Sequence, residues 1–329
     1  MKKIKSNKNM EYYLSKINKL RSEVSKVVVG QNKTVDGIIR SLLTNGHVLM
    51  EGVPGTAKTL ILRSVAVLTG CDFGRIQFTV DLLPTDIVGI NTLAPDGKSF
   101  QVLKGPVFNH FLLADEINRA PPKTQSALLE AMAELQVSIS RNSYKLEPPF
   151  FVMATQNPIE SSGTYPLPEA QIDRFLFKLL IGYPKKENEA KIIEQNITLQ
   201  SFESYNLKKI MEPKDIMRMQ QLVREVQHTE RINKYIVELV NATRTPKEYD
   251  ISLGKYISLG GSPRASIFLF IAAKADAFMN GQKHVSPQNV KNIAHDVLRH
   301  RIMLNYRAKV DNVTTDKIID EVLSKVKIP

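Results

Sequence analysis

The fold of this chain is decided by the stretch Val48-Leu49-Met50-Glu51-Gly52-Val53-Pro54-Gly55-Thr56-Ala57-Lys58-Thr59. The apolar residues Val48–Met50 predict a buried strand, and the glycines after them predict a tight turn into a helix over Leu60–Leu68. A glycine-rich turn between a strand and a helix directs backbone N–H groups at a phosphate, and the helix N-terminus adds positive potential. In this pattern Lys58 reaches the terminal phosphates and the hydroxyl of Thr59 binds Mg²⁺. The stretch therefore predicts a nucleotide-binding phosphate loop.

One position departs from the general phosphate-loop pattern. The pattern has a second glycine before the lysine, whereas this chain has Ala57. We expect Ala57 to have ordinary backbone angles and its methyl group to be tolerated beside the phosphates. The alternative interpretation of the stretch is a surface turn that happens to contain a lysine.

Polar residues follow two further apolar runs of strand length. Phe111–Ala114 is followed by Asp115 and Glu116, and Phe150–Ala154 is followed shortly by Asn157. Because the carboxyl ends of parallel strands face the ligand crevice, these side chains are predicted to point at the phosphates. Asp115 is expected to hold the Mg²⁺ shell and Glu116 to accept a proton from the attacking water. The amide of Asn157 is placed to position that water.

Strand-like and helical patterns alternate along the first half of the chain. The further apolar runs Arg75–Phe78 and Phe175–Leu180 extend the alternation, which is typical of a doubly wound parallel α/β sheet. Asn91–Leu103 and Val137–Leu146 interrupt it and read as β-hairpins, the first around a Pro-Asp-Gly turn that includes Asp96. After Pro184 the patterns are all helical. We expect a nucleotide-binding core over residues 1–184 and an all-helical domain over residues 185–329.

Composition excludes several classes of protein. The chain has 329 residues, 43% of them hydrophobic and 24% charged, which indicates two globular domains rather than a disordered chain. No apolar run approaches the ~20 residues of a membrane-spanning helix, and the lysine-rich start has no apolar stretch of a secretory signal. One cysteine, Cys71, allows neither an internal disulfide nor a zinc site of its own. We expect a cytoplasmic protein.

The net charge of +12 leaves two interpretations open. Lysines cluster in the first eight residues, and Arg299–Lys309 is a second basic run that contains no acid. Such charge favours either binding of nucleic acid or an acidic partner through phosphate-type contacts, or simply a solvated basic surface. The aromatic residues are not interleaved with the basic ones, as they are where single-stranded nucleic acid is bound.

Six motifs in a consistent order resemble those of the MoxR group of AAA+ ATPases. They are Val29-Gly30-Gln31, the phosphate loop Gly52–Thr59, the run Leu113–Ala120, the run Ala154–Pro158, the run Leu167–Phe175 and Gly261–Ala265. The likeness extends from about Val28 to Arg301. That family's phosphate loop also has alanine at the position of Ala57, whereas Val80 stands where the family has proline. The resemblance implies a P-loop ATPase core with a hairpin in its second helix and another before its third strand, a helical lid domain and a hexameric ring.

The resemblance also implies roles for individual residues. Those of the nucleotide site are Val29, Gly30 and Gln31 beside adenine, and Gly52, Val53, Pro54, Gly55, Thr56, Ala57, Lys58, Thr59 and Leu60 around the phosphates. Thr59 and Asp115 would bind Mg²⁺, Glu116 would be the base and Asn157 the first sensor. Arg264 would reach the γ-phosphate from the lid of its own subunit, and Arg174 would be donated to a neighbour's site. Arg119 is a further interface candidate; taken singly, each arginine is also compatible with a surface salt bridge.

Three hypotheses for function follow. The first is a chaperone-like ATPase that remodels or activates a protein, in this family often a von Willebrand factor A-domain protein. The second is a nucleic-acid motor or loader, which the positive charge and the hairpins allow, and the third is the motor subunit of a metal chelatase. The sequence contains no separate DNA-binding domain, no zinc-finger spacing and no A domain, which favours the first. We therefore expect ATP, Mg²⁺, copies of the chain itself and a protein client as partners, and not nucleic acid.

Overall fold

The structure is a computed structural model that describes residues 2–95, 97, 99–157, 163–195 and 201–328. The α-helices of the described residues are α1 Lys2–Val27, α2 Asn32–Leu43, α3 Lys58–Thr69, α4 Pro84–Val88, α5 Pro122–Glu134, α6 Glu169–Ile172, α7 Lys186–Gln195, α8 Pro213–Glu225, α9 Glu230–Arg244, α10 Pro263–Met279, α11 Pro287–Leu298, α12 Tyr306–Val310 and α13 Thr315–Lys325. The strands are β1 Val48–Gly52, β2 Phe73–Gln77, β3 Gly89–Leu93, β4 Phe100–Lys104, β5 Phe111–Asp115, β6 Gln136–Ile139, β7 Asn142–Lys145, β8 Phe151–Gln156, β9 Phe177–Ile181, β10 Ile257–Leu259 and β11 Met303–Leu304.

Five strands form the central sheet, in the order β2-β5-β8-β1-β9. The pairs β2–β5, β5–β8 and β8–β1 are parallel, and Leu49 lies opposite Ala154 in the register of the last pair. The residues of β5 and β8 are almost completely buried, which explains why both strands read as continuous apolar runs. The predicted doubly wound α/β fold is confirmed.

Two antiparallel hairpins project from this α/β arrangement. The hairpin β3–β4 pairs Ile90 with Leu103, and β6–β7 pairs Val137 with Tyr144. Both lie where the sequence predicts hairpins, although Asp96 of the predicted Pro-Asp-Gly turn lies outside the described residues. Since β3–β4 follows α4 and precedes a 3₁₀ turn, it interrupts the helical connection between β2 and β5.

The chain forms two compact units. One, here called the loop unit, comprises Ser15–Phe175 and Leu179–Arg218. The other, here called the helical unit, comprises Met1–Leu14, Leu176–Lys178 and Met219–Pro329. The domain boundary predicted near Pro184 remains a prediction.

The helical unit differs from the sequence expectation in one detail. Its described elements from α9 to α13 are mostly helical, as predicted, but β10 and β11 pair as a short antiparallel ladder. The expectation of an entirely helical region is therefore corrected. Strands of two or three residues are too short to show a period-2 pattern, so the sequence gives no signal for them.

Two titratable side chains in the loop unit are structural. His47 accepts a hydrogen bond from the Val152 backbone N–H through Nδ1 and contacts the Met132 carbonyl through Nε2, which fits a neutral ring. Burial lowers the pKa of His47 to about 4. Burial also raises the pKa of the Cys71 thiol to about 11, so this cysteine is a small core residue rather than a nucleophile. Within the part of the chain that the structure describes, no helix combines the length and the apolar character needed to cross a membrane.

Candidate nucleotide site

A cavity of about 660 Å³ opens in the loop unit at the carboxyl ends of β1, β5 and β8. Its lining includes most of the residues that the sequence places in a nucleotide site, namely Val29, Gln31, Pro54, Gly55, Thr56, Ala57, Lys58, Thr59, Leu60, Asp115, Glu116 and Asn157. The predicted residues that do not line it are Gly30, Gly52, Val53 and Arg174, while Arg264 belongs to the helical unit. The cavity thus brings together the loop, both acids and the amide.

The backbone of the phosphate loop is left-handed at two positions. Gly55 has φ +78°, and Ala57 has φ 62° and ψ 23° immediately before the first residue of α3. The expectation of ordinary backbone angles at Ala57 is therefore wrong. A left-handed conformation costs a residue with a Cβ about 1–2 kcal/mol, which is why the general pattern has glycine there. The chain tolerates this cost at the entrance of α3, whose first residues line the cavity.

The loop is held by contacts at both of its ends. Lys58 Nζ donates a hydrogen bond to the Gly52 carbonyl, and Thr56 Oγ1 donates to the Val53 carbonyl at 2.9 Å. A Cβ at position 52 would lie 2.3 Å from the carbonyl oxygen of Ile181, so only a glycine at this position allows the end of β1 to lie this close to β9. Burial lowers the pKa of Lys58, and the nearby Asp115 and Glu116 carboxylates oppose that shift.

Both carboxylate oxygens of Asp115 are engaged. Thr155 Oγ1 donates to Oδ1 at 2.6 Å, and the guanidinium of Arg75 donates to Oδ2 at 2.7 Å. The carboxylate is 17% exposed, so it is largely screened from bulk water yet borders the cavity. Carboxylate and hydroxyl oxygens are the donors that Mg²⁺ prefers, and Asp115 and Thr59, which carry such groups, both line the cavity. The residues present fit a magnesium ion.

Glu116 adopts an unusual backbone conformation. Its φ is 56° and its ψ 49°, in the left-handed region, and its N–H donates to Thr155 Oγ1 at 2.8 Å. Its Oε2 accepts a hydrogen bond from Gln77 Nε2 at 2.7 Å and lies 3.0 Å from Arg119 Nε. Non-glycine residues in such conformations cluster at functional sites, where the surrounding structure must hold them.

The three arginines singled out from the sequence lie in different places. Arg119 pairs with Glu116 beside the cavity. Arg174 is exposed, and its Nη1 donates to the Leu129 carbonyl at 3.1 Å rather than reaching the cavity. Arg264 is the second residue of α10 in the helical unit.

A second group of residues that line the cavity is mostly apolar. It consists of Val27, Val28, Val29, Pro184, Ile192 and Tyr205, together with Gln31, whose Nε2 donates to the Gly182 carbonyl at 3.1 Å. An apolar slot beside a phosphate loop suits the flat base of a nucleotide. The sequence did not predict Arg75, Pro184, Ile192 or Tyr205 as lining residues. The sequence contains an indication for Arg75: along β2, the polar Arg75 and Gln77 alternate with Gly74 and Ile76, which are buried, so the polar pair shares one face of the strand.

Known proteins resemble this chain over nearly its whole length. Residues 47–177 match the ATPase family associated with various cellular activities (AAA), and residues 253–322 match the AAA lid domain. Chaperone MoxR1 of Mycobacterium tuberculosis is 44% identical over 309 residues, which are 93% of this chain and 81% of that protein. The chain belongs to the MoxR family of AAA ATPases.

Other MoxR-family relatives support the same assignment. Protein MoxR of Paracoccus denitrificans is 29% identical over 98% of both chains. A crystal structure from Cytophaga hutchinsonii superimposes with a TM-score of 0.93 and 45% identity, and covers 100% of this chain and 99% of its own. The predicted membership of the MoxR family is confirmed.

Proposed function

We propose that this MoxR-family protein hydrolyses ATP with Mg²⁺ and uses the energy as a chaperone-like motor to remodel or activate a partner protein. The observation that carries the proposal is the cavity itself. The cavity is lined by the phosphate loop, by Asp115, Glu116 and Asn157, and by a group of apolar residues suited to a base. Phosphoryl transfer needs this set of charge stabilisation, water activation and positioning.

Each residue of the cavity receives a role from its position. The ammonium of Lys58 offsets the charge of the terminal phosphates, together with the N–H groups at the start of α3. Thr59 and Asp115 would hold the magnesium ion, which would supply positive charge to stabilise the transferred phosphoryl group. Glu116 accepts the proton of the attacking water, and the Asn157 amide orients that water.

Two arginines complete the proposed site from opposite sides of a subunit interface. We assign Arg264 to the site of its own chain and Arg174 to the site of a neighbour in a homo-oligomeric ring, expected to be hexameric. In support, Arg174 is exposed and does not line the cavity of its own loop unit. A guanidinium supplied in trans contributes on the order of 10³-fold or more to hydrolysis in comparable enzymes.

The proposed partner is a protein, with the von Willebrand factor A-domain class as the candidate, rather than nucleic acid. One relative bears the name chaperone. In the basic run 299–309, Arg299 pairs with Asp316 at 2.7 Å and Arg301 is only 4% exposed, with its guanidinium 4.6 Å from the Phe268 ring centre. These two charges serve the fold of the helical unit and contribute little to a phosphate-binding surface. This favours a protein client over the motor or loader alternative.

The decisive experiment separates nucleotide binding from hydrolysis. Lys58→Ala should abolish binding because the lysine offsets phosphate charge in both ground and transition states. Glu116→Gln should retain binding and lose turnover, because an amide cannot take the proton of water. Isothermal titration with ATP and a phosphate-release assay measure the two properties.

Two exposed residues of α5 provide matched controls. Lys123→Ala and Glu134→Gln make the same chemical changes outside the cavity and should leave both properties unchanged. Turnover of Glu116→Gln at the wild-type rate would refute the assignment of the base. A wild-type protein that does not bind ATP would refute the function as a whole.

A further inference from the structure

Arg75 joins the two carboxylates of the candidate site. One guanidinium nitrogen, Nη2, donates to Asp115 Oδ2 at 2.7 Å and to Gln77 Oε1 at 2.9 Å. The amide of Gln77 then donates to Glu116 Oε2 at 2.7 Å. The chain of contacts Asp115–Arg75–Gln77–Glu116 therefore runs from the proposed metal ligand to the proposed base.

The geometry of β2 makes this connection possible. Arg75 and Gln77 are two residues apart and so project from the same face of the strand, while Ile76 between them is buried. In the parallel pairing with β5, Gln77 lies opposite Asp115 and Arg75 opposite Leu113. The register therefore places both polar side chains at the end of β5 from which Asp115 and Glu116 project.

The positive charge of Arg75 lies beside two negative charges. Two adjacent carboxylates on a cavity wall repel the phosphates of a nucleotide, and a permanently charged guanidinium offsets that repulsion. A divalent cation beside Asp115 does the same and also repels the guanidinium. Arg75 and the metal ion therefore both offset the negative charge of Asp115, so the gain in nucleotide affinity from either one is smaller when the other is present.

We infer that Arg75 is a positioning residue that neutralises Asp115, so that nucleotide binding is partly independent of Mg²⁺. This inference rests on the proposed function.

The test measures nucleotide affinity rather than turnover. The binding of a fluorescent, non-hydrolysable ATP analogue is measured once in excess EDTA and once in Mg²⁺. The readout is the dissociation constant in EDTA divided by the dissociation constant in Mg²⁺. Arg75→Gln should raise this ratio about three- to tenfold, mainly by weakening binding in EDTA; the effect is moderate because the Arg75 side chain is 49% exposed. Arg75→Lys keeps the charge and should stay close to the wild-type ratio.

Two further variants identify the cause. Arg21→Gln breaks a comparable pair, Arg21 with Asp36 at 2.6 Å, away from the cavity and should leave the ratio unchanged. In an Asp115→Asn background, Arg75→Gln should no longer weaken binding in EDTA, because the charge that it offsets is gone. An undiminished loss in that background would show that Arg75 contacts the nucleotide directly, and would overturn the inference.

The outcomes also separate this inference from the proposed function. Wild-type protein that binds the analogue, combined with an unchanged ratio in Arg75→Gln, overturns the inference alone. Wild-type protein that fails to bind the analogue in Mg²⁺ overturns the proposed function, and the inference with it.

Discussion

Replacing Ala57 by glycine should stabilise the protein, although glycine inside or beside a helix usually destabilises it. Ala57 has φ 62°, a conformation that costs an alanine about 1–2 kcal/mol relative to glycine. The unfolded chain gains conformational freedom from the new glycine, which costs about 0.5–1 kcal/mol. The difference is a net stabilisation of about 0.7 kcal/mol, between limits of about 0 and 1.5 kcal/mol.

Thermal and urea unfolding without nucleotide, followed by circular dichroism, measures this difference. For a unit of this size the melting temperature should rise by about 1–4 °C. The matched control is Ala190→Gly in α7, an exposed alanine within a right-handed helix. That change should lower the free energy of unfolding by about 1 kcal/mol.

The opposite signs of the two substitutions are the result that matters. If Ala57→Gly destabilises the protein as Ala190→Gly does, then Ala57 is not held in the left-handed region and the account of the loop is wrong. Since the backbone N–H groups are unchanged, Ala57→Gly should also keep its affinity for ATP.

Three further expectations concern the oligomer, the charge and the response to pH. Arg174→Ala should bind ATP but hydrolyse it poorly, whereas Arg264→Ala should impair both binding and hydrolysis. Mixing Arg174→Ala subunits with Lys58→Ala subunits should restore phosphate release. If mixed rings are shown to co-assemble and phosphate release does not recover, a role of Arg174 in trans is excluded. The ATPase rate should be indifferent to duplex or single-stranded DNA at ~150 mM salt, and stimulation that survives such salt would favour a nucleic-acid motor. His47 has a pKa of about 4 in the folded protein and is neutral there at higher pH. Below pH ~6.5 the unfolded chain therefore binds more protons at this residue than the folded protein does. The stability that His47 contributes is lost as the pH falls from ~6.5 towards 4. The loss is on the order of 3 kcal/mol at most, and a His47→Gln protein should show a flatter dependence of unfolding free energy on pH over that range.

The sequence alone was sufficient to predict those parts of the site that come from contiguous motifs. The phosphate loop and the two acids at the end of β5 are contiguous motifs, and parallel strands bring their carboxyl ends together wherever they occur. The partners of Asp115 and Glu116 could not be predicted in this way. Arg75 and Gln77 reach them because β2 pairs with β5, a contact between segments about forty residues apart that no local pattern records.

The conformation of Ala57 shows a second limit of the sequence. A motif specifies which residue is present, whereas its dihedral angles depend on the strand and helix that fix both ends of the loop. The identity of the residue suggested a right-handed backbone, and the geometry of the turn overrides that preference at a modest cost. The roles of the individual site residues remain proposals.

The position of β2 at the edge of the sheet has a consequence for how such a sequence can change over time. The strand is tied at both ends, by Phe111 N–H to the Asp72 carbonyl and by Phe78 N–H to the Asp115 carbonyl, each at 2.9 Å. Side chains alternate with a period of two, so the gain or loss of one residue within the strand would bury Arg75 and Gln77 and expose Ile76. Insertions should therefore accumulate in the connections on either side of β2, while the length of the strand itself stays constant among functional descendants.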